Sequence, residues 1–485
     1  MKKTLLITGG TGILGKHLVT RFLANGHRVT ILCRNPKPDL FPTSNQPRWL
    51  QGDVSLARLG LEQKSYQSLV KTTDTVFHLA ARTDFKGKNL EAYTPVNING
   101  VRTIYSFAAK ANAPLHHVST AFVCGRQQGT LSEQMLDRGQ KFRNFYEESK
   151  FRGECFLRKQ QAATALPITI YRPSIILERQ PDRNSGGNFG PFTFLDAIFR
   201  LLLSLKRQQS SPEIIRVQGC RESSMPFIFD DDAAETIYTL SNLPEQLGKT
   251  FHLTTASSFA NNEIENLFNQ AFGRQVVCWA NAEDILKNPL RPAEELLARR
   301  TKVYADYLDL NLDFTRANLD DALGAQTLPD LSTNEVLTAF SRFLACRKTG
   351  EASPAPLPGD RTAGDITLYF TRYLPEFLNR PMLQNLVSLN TLFWLKIQTV
   401  GTWSIQIGEG CLRTIKPGKT GAFGYTVTPD TFLKIVRGQR SPQEGFFQGQ
   451  IAINGDTREG LRTATALEEF FSTYPYQEGS CQCQK

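Results

Sequence analysis

The sequence predicts an α/β fold, a doubly wound parallel sheet with a small substrate subdomain, followed by a smaller α+β domain. Two observations carry that prediction. In the first third of the chain, short apolar runs alternate with segments of helical periodicity, the rhythm of repeated strand–helix units and parallel pairing. Past a stretch dense in Pro, Gly, Ala and Ser, the texture changes to alternating strands closed by helices. The 485 residues also exceed what one core normally serves, so more than one domain is the default.

Taken in order, "TLLITGG" (4–10), "RVTILCR" (28–34), "DTVFHLAA" (74–81) and "PLHHVST" (114–120) read as buried strands, and "PITIYRPSI" (167–175) continues the sheet. The helical segments "GKHLVTRFLANG" (15–26) and "NGVRTIYSFAAKAN" (99–112) lie between them. In "FTFLDAIFRLLLSL" (192–205), Leu195, Ile198, Phe199, Leu202 and Leu205 recur at helical spacing, interrupted by Asp196 and Arg200. That stretch is too short and too charged to span a bilayer, so a helix packed on a core is expected. "KTGEASPAPLPGDRTAG" (348–364) has no periodic apolar face and reads as a linker whose cleavage would expose little core. It divides the chain into residues 1–347 and 365–478, with a tail at 479–485. In the second part a helical stretch leads to strands at "WSIQIGEG" (403–410) and "FGYTVTP" (423–429). A helix "PDTFLKIVRG", a strand "GQIAINGD" (449–456) and a final helix "REGLRTATALEEFF" follow.

Composition narrows the function. The 40% apolar and 21% charged content is that of an ordinary globular protein. A net charge of +10 suits phosphate-rich small molecules. No Lys/Arg block or aromatic–basic alternation accompanies it, so nucleic acid is disfavoured and membrane contact is at most peripheral. The start "MKKTLLITGG" lacks the longer apolar region of a signal peptide. Nine scattered cysteines argue against a disulfide framework and for a reducing cytoplasm. Cys481 and Cys483 have no His or second Cys pair nearby with which to hold a metal.

"ITGGTGILGKH" (7–17) is the strongest local motif. Gly9, Gly12 and Gly15 fall at three-residue spacing between a strand and a helix, with Thr11, Ile13 and Leu14 completing the loop. Such a turn lets backbone N–H groups approach a pyrophosphate at the helix N-terminus. After the second strand, where a carboxylate would hold the ribose hydroxyls of NADH, "ILCRNPK" supplies Arg34 and Lys37. A guanidinium there pairs with a 2′-phosphate, so NADPH is expected in preference to NADH. Asp53 and Val54 of "QGDV" (51–54) follow another short strand, where the carboxylate would accept from the adenine amino group. In "NFYEESK" (144–150), Tyr146 and Lys150 are one helical turn apart and share a face.

"TGGTGILG", "GDV", "HLAA", "VNINGV", "HVSTAFVCG", "YEESK" and "YRPS" occur here in the order and spacing of a known family. The sequence resembles the extended short-chain dehydrogenase/reductases, and within them is most similar to the fatty acyl-CoA reductase and thioester reductase branch. "YADYLDLNLDFTRANLDDAL" (304–323) is similar to the tail of that branch. The resemblance implies a Rossmann-type sheet and assigns roles. Tyr146 would donate a proton to the carbonyl oxygen as hydride arrives. Lys150 would hold the nicotinamide ribose and, as a nearby cation, lower the Tyr146 pKa. Thr120, with Ser119 beside it, would hydrogen-bond the same oxygen. Ala80 and Ala81 of "HLAA" would lie at the cofactor, Asn97 would be mainly structural, and Arg172 and Pro173 would wall the nicotinamide. His78, His116 and His117 are expected to be satisfied core histidines. Asp230, Asp231 and Asp232 are expected to cap a helix N-terminus, with no metal site.

"TPDTFLKIVRGQRSPQEGFFQGQIAINGD" (428–456) resembles the sterol carrier protein family, over about residues 365–475. That resemblance implies a hydrophobic tunnel for acyl chains or sterols, and the apolar run at 377–395 is compatible with its lining. The whole chain then reads as an NADPH-dependent reductase of a lipophilic carbonyl or acyl thioester, such as an acyl-CoA or acyl-carrier-bound chain, with a fused lipid-binding domain. Two rivals share features with it. A nucleotide-sugar epimerase or dehydratase would use the same Tyr and Lys, but the lipid domain counts against it. A non-catalytic redox-sensing lipid carrier would not need the Thr120, Tyr146 and Lys150 set.

Overall fold

The computed structural model describes the chain apart from residues 1, 42–45, 135, 182–189, 208–213, 325–327, 329, 349–365, 367–368, 382–388, 399 and 477–485, and the side chains of 372 and 447. The expected linker lies almost wholly outside the described residues, and so do Cys481 and Cys483.

The strand–helix alternation resolves into one sheet of seven parallel strands: β1 (Thr4–Thr8), β2 (Arg28–Cys33), β3 (Arg48–Gln51), β4 (Thr75–His78), β5 (Leu115–Val118), β6 (Ile168–Pro173) and β7 (Thr250–Leu253). Their spatial order is β7-β6-β5-β4-β1-β2-β3. Strand direction of growth reverses between β1 and β4, which opens a crevice at their carboxyl ends. Both faces are covered, so the strands read as continuous apolar runs. The period of two is still visible in the packing. Leu5 and Ile7 of β1 join a core with α1 (Ile13–Ala24) and residues of Asp230–Ser241, whereas Leu6 packs on the other side with Val101 and Ile104. That other side is covered by α2 (Gln63–Thr72), α3 (Gly100–Ala111) and α4 (Phe145–Ala163).

The amphipathic stretch forms α5 (Gly190–Arg207), with Leu195 and Ile198 buried and Leu202 and Leu205 half-buried. The aspartates open α6 (Asp230–Ser241), and their carboxylates are taken by cations. Asp230 lies 2.8 Å from His17 Nε2, and Asp231 and Asp232 both accept from Arg179. Further on come α7 (Pro292–Thr301) and α8 (Thr333–Lys348).

The second unit is a five-stranded sheet of β8 (Thr391–Ile397), β9 (Gly401–Gly408), β10 (Cys411–Pro417), β11 (Phe423–Val427) and β12 (Ile451–Gly455), in the order β10-β9-β8-β11-β12. Helices α9 (Pro429–Val436), α10 (Pro442–Phe447) and α11 (Thr457–Thr473) pack on it. Strands β8 and β10 lie in stretches where the sequence suggested no strand. The two units are also less separable than the linker implied. One apolar cluster runs without a break from α5, α7 and α8 into the core of the second sheet. A cut in the linker would therefore leave an apolar seam to be exposed when the halves part. The reason is packing between distant segments, which a linker's composition does not report.

Candidate active site

The glycine turn sits in the crevice between β1 and β4. Gly9 has φ +74°, and a Cβ there would stand 2.5 Å from the backbone nitrogen of Ala80, just past β4. A Cβ on Gly15 would stand 2.1 Å from the Gly9 carbonyl oxygen. Both positions therefore require glycine. Gly12 is the N-cap of α1, and the first turn of that helix has neither a side-chain cap nor an acidic residue. Its N–H groups and the positive end of its dipole are left for an anion. These residues fit the pyrophosphate of a dinucleotide.

The other expected cofactor residues border the same crevice. Arg34 follows β2 immediately and is exposed, with no ion pair among the described residues. Asp53 follows β3, and its Oδ1 accepts from the Ser55 backbone N–H and hydroxyl. Val54 is buried against Gly100. Ala80 and Ala81 continue from β4. Asn97 is buried: its Oδ1 accepts from the Arg82 N–H, and its Nδ2 donates to the Arg82 carbonyl and to Ser149 Oγ at 2.8 Å. It ties the strand exit to α4.

One strand over, the chain leaving β5 presents Ser119 and Thr120. Asn144 caps α4, accepting from the Glu147 N–H at 2.9 Å, and so fixes where the helix begins. That start places Tyr146 near Thr120, whose hydroxyl favours the charged form of the phenol. Lys150, one turn on and 3% exposed, donates to the Val118 carbonyl at 2.6 Å. Thr120, Tyr146 and Lys150 thus meet at the carboxyl end of β5.

The electrostatics depart from expectation. Burial, reinforced by Glu147, pushes the Tyr146 phenol above its ordinary value, and the nearby Thr120 hydroxyl offsets only part of that. The lysine was expected to lower it. Instead burial lowers the Lys150 ammonium itself to about 8, against the opposing pull of Glu154, so burial dominates both members of the pair. A second correction concerns Arg172. Its guanidinium is 1% exposed and forks onto Glu154 with Nη2 at 2.6 Å from Oε1. It is a buried counter-ion beneath the helix that carries Tyr146 and Lys150, and only Pro173 and the backbone remain to border a nicotinamide. A third concerns the histidines. His116 bonds Tyr171 and His78 Nδ1 bonds Thr8, but His78 Nε2 and both His117 nitrogens have no partner among the described residues. All three rings are core; His116 has its partner, His78 is paired through one nitrogen and His117 through neither, and burial holds His78 neutral at about 3.

Several residues at this site went unnoticed in the sequence. Phe85 packs its ring, tilted, with its centre 5.5 Å from that of Tyr146 and 5.3 Å from that of Tyr304. Tyr307 donates to the buried Glu147 carboxylate, which Arg143 also contacts. Glu147 stood inside "NFYEESK", and Tyr304 and Tyr307 open the stretch whose similarity was noted. Proximity in the fold, not spacing, brings them together.

Comparison with known proteins now bears on this geometry. Residues 7–227 match the family described as Male sterility protein, and residues 374–468 match the SCP-2 sterol transfer family. The chain joins a male sterility-type domain to an SCP-2 domain. The first of these is an NAD(P)-binding domain, in keeping with the glycine turn. The hybrid PKS-NRPS synthetase pvhA of Talaromyces variabilis is 33% identical over 175 residues, which are 36% of this chain and 4% of that protein. The chain therefore spans only a small part of such relatives. The terminal R domain of the myxalamid PKS-NRPS pathway superposes with TM-score 0.57 at 20% identity, covering 73% of this chain and 93% of that one. A UDP-glucose 4-epimerase of Thermotoga maritima does so with TM-score 0.52 at 17% identity, covering 72% and 100%. At these identities the likeness is one of fold. In the SCP-2 half, α9, α10 and α11 and the sheet line a partly open cavity of about 100 Å3, walled by residues such as Phe393, Ile407, Phe432, Phe446 and Phe470. Among the described residues no helix is long and apolar enough to cross a membrane.

Proposed function

We propose that the chain is an NADPH-dependent reductase of a lipophilic acyl thioester or carbonyl compound, and that its SCP-2 domain holds the apolar chain. The observation that carries this reading is the grouping of Thr120, Tyr146 and Lys150 beside the glycine turn. A hydrocarbon-walled cavity in the same chain supports a lipophilic substrate. Relatives that are PKS-NRPS synthetases and a terminal R domain support a carrier-bound thioester.

Bound at the glycine turn, NADPH supplies the hydride. The free N–H groups of α1 hold its pyrophosphate, and Arg34, exposed past β2, meets the 2′-phosphate. Lys150 holds the ribose of the nicotinamide half. Tyr146 keeps its proton at neutral pH because its pKa stands high. The proton leaves for the substrate oxygen only as negative charge builds there. Thr120 donates a hydrogen bond to the same oxygen. A thioester that gains hydride at carbon and a proton at oxygen becomes a hemithioacetal, which expels the thiol and leaves the aldehyde.

The test is to incubate the full chain with NADPH and dodecanoyl-CoA and identify the product by mass spectrometry. Dodecanal or dodecanol with matching NADPH loss is expected. No NADPH consumption with any acyl-CoA or aldehyde, alongside interconversion of UDP-glucose and UDP-galactose, would establish the epimerase reading instead.

A further inference from the structure

The cavity of the SCP-2 domain is closed in part by a helix from the other half of the molecule. Among the described residues lining it, Leu296 of α7 alone precedes the linker; the others fall between Tyr369 and Phe471. Leu296 is 4% exposed. It stands with Pro442, Gln443 and Phe446 of α10 and with Leu461, Ala464 and Thr465 of α11 in the same lining. The next turn of α7 holds it there. Arg299 Nη1 donates to Thr465 Oγ1 at 3.1 Å, and Arg300 Nη1 lies 3.9 Å from Glu444 Oε1. Leu296, Arg299 and Arg300 occupy positions i, i+3 and i+4, one face of one helix.

The other end of the same segment reaches the candidate active site. Residues Lys302–Tyr307 continue α7 as a tighter helical turn. Within it, the Tyr304 ring lies 5.3 Å from Phe85, which lies 5.5 Å from Tyr146. Tyr304 also meets Phe194 of α5 at 6.2 Å, and Phe194 and Leu296 belong to one apolar cluster. Segment 292–307 therefore carries Leu296 in the wall of the cavity and Tyr304 two rings from Tyr146, with Arg299 and Arg300 between them turned to polar partners.

We propose that Leu296 is the gate between the SCP-2 cavity and the reductase site, passing the alkyl chain of the substrate along the Tyr304–Phe85 surface and so setting chain-length preference. The other walls are the sheet, α9 to α11 and the helical turns at Tyr369, Phe370 and Leu374, all beyond the linker. Leu296 is the part of the wall that can withdraw without opening that domain's own backbone. The lining is hydrocarbon apart from groups such as Gln443 and Thr465, and the occupant is taken as an unbranched acyl chain because the reductase reading supplies that substrate. This inference rests on the reductase reading for its substrate, and on the cavity alone for its gate.

The experiment uses the full chain, with Leu296→Trp to block, Leu296→Ala to open, and Leu286→Trp as a control at a surface position that is 82% exposed. Two readouts are taken: binding of the fluorescent fatty acid cis-parinaric acid by stopped flow, and the kcat/KM ratio for octadecanoyl-CoA over butanoyl-CoA. Leu296→Trp should slow cis-parinaric association and lower the long-to-short ratio by about tenfold, the scale of a mis-sized apolar pocket. Leu296→Ala should speed association. Should Leu296→Trp fail to fold, as judged by its thermal melt, Leu296→Ala decides: association no faster than in the native chain overturns the gate. A changed association rate with an unchanged long-to-short ratio overturns delivery to the reductase site. If the native chain turns over no acyl-CoA, the reductase reading fails, while the cis-parinaric measurement still tests the gate.

Discussion

At the residue scale the account turns on a proton donor held at high pKa next to a lysine held at low pKa. Tyr146→Phe deletes only the donor, so turnover should fall by about 10²–10⁴ while NADPH affinity, followed by its fluorescence, stays close to native. Turnover near the native rate in Tyr146→Phe would remove the phenol from the mechanism. Lys150 should set the alkaline limb of activity. Its ammonium is present below about 8 and lost above it in the cofactor-free protein, and kcat/KM reports the free enzyme. The profile of kcat/KM should therefore fall as pH rises through about 8, and a flat profile from neutral pH well past that value would contradict the role given to Lys150. Arg34→Ala should weaken NADPH binding by about tenfold or more, the loss of a charge-assisted contact of roughly 1.5–3 kcal/mol. NADH binding should barely change, and equal losses measured by titration would show that Arg34 does not read the 2′-phosphate.

At the element scale, α4 must present Tyr146 and Lys150 in register with the end of β5. Its cap, Asn144, sets the start, and the buried Arg172–Glu154 pair pins its middle to β6. Burial alone would raise the Glu154 carboxyl, but Arg172 beside it holds it below the usual range. Glu154→Gln would leave a buried guanidinium without its charge partner. It should cost about 3–5 kcal/mol in denaturant unfolding, and a change under about 1 kcal/mol would mean the pair is solvated. The motif residues of this element were legible in the sequence because a turn of helix fixes the Tyr146–Lys150 spacing. The Arg172–Glu154 pairing was not, since nothing local says which side chain a strand arginine will meet across a layer. The direction of the Tyr146 shift was misjudged for a related reason: a neighbouring cation is visible in sequence, whereas depth of burial is not.

At the scale of the whole molecule, the parallel sheet was legible in the alternating strand and helix patterns, whereas its strand order and the crevice between β1 and β4 depend on pairings between distant segments that the sequence does not announce. The SCP-2 sheet was read less completely. "TLFWLKI" (391–397) is its central strand, and a continuous apolar run does not distinguish a strand from a buried helix. "CLRTIKP" (411–417) is an edge strand with few buried positions, so its pattern is faint. The seam of α5 and α7 against α10 and α11 is a contact between segments far apart in sequence, and no linker composition foretells it. The central claim, that this chain moves hydride from NADPH to the carbonyl carbon of a lipophilic thioester, is tested most directly with NADPH deuterated at nicotinamide C4 and dodecanoyl-CoA. Deuterium should appear at the carbonyl-derived carbon of dodecanal or dodecanol in the native protein, and in far smaller yield from Tyr146→Phe. Retention of all deuterium in the nucleotide, with the acyl-CoA unchanged, would contradict the account.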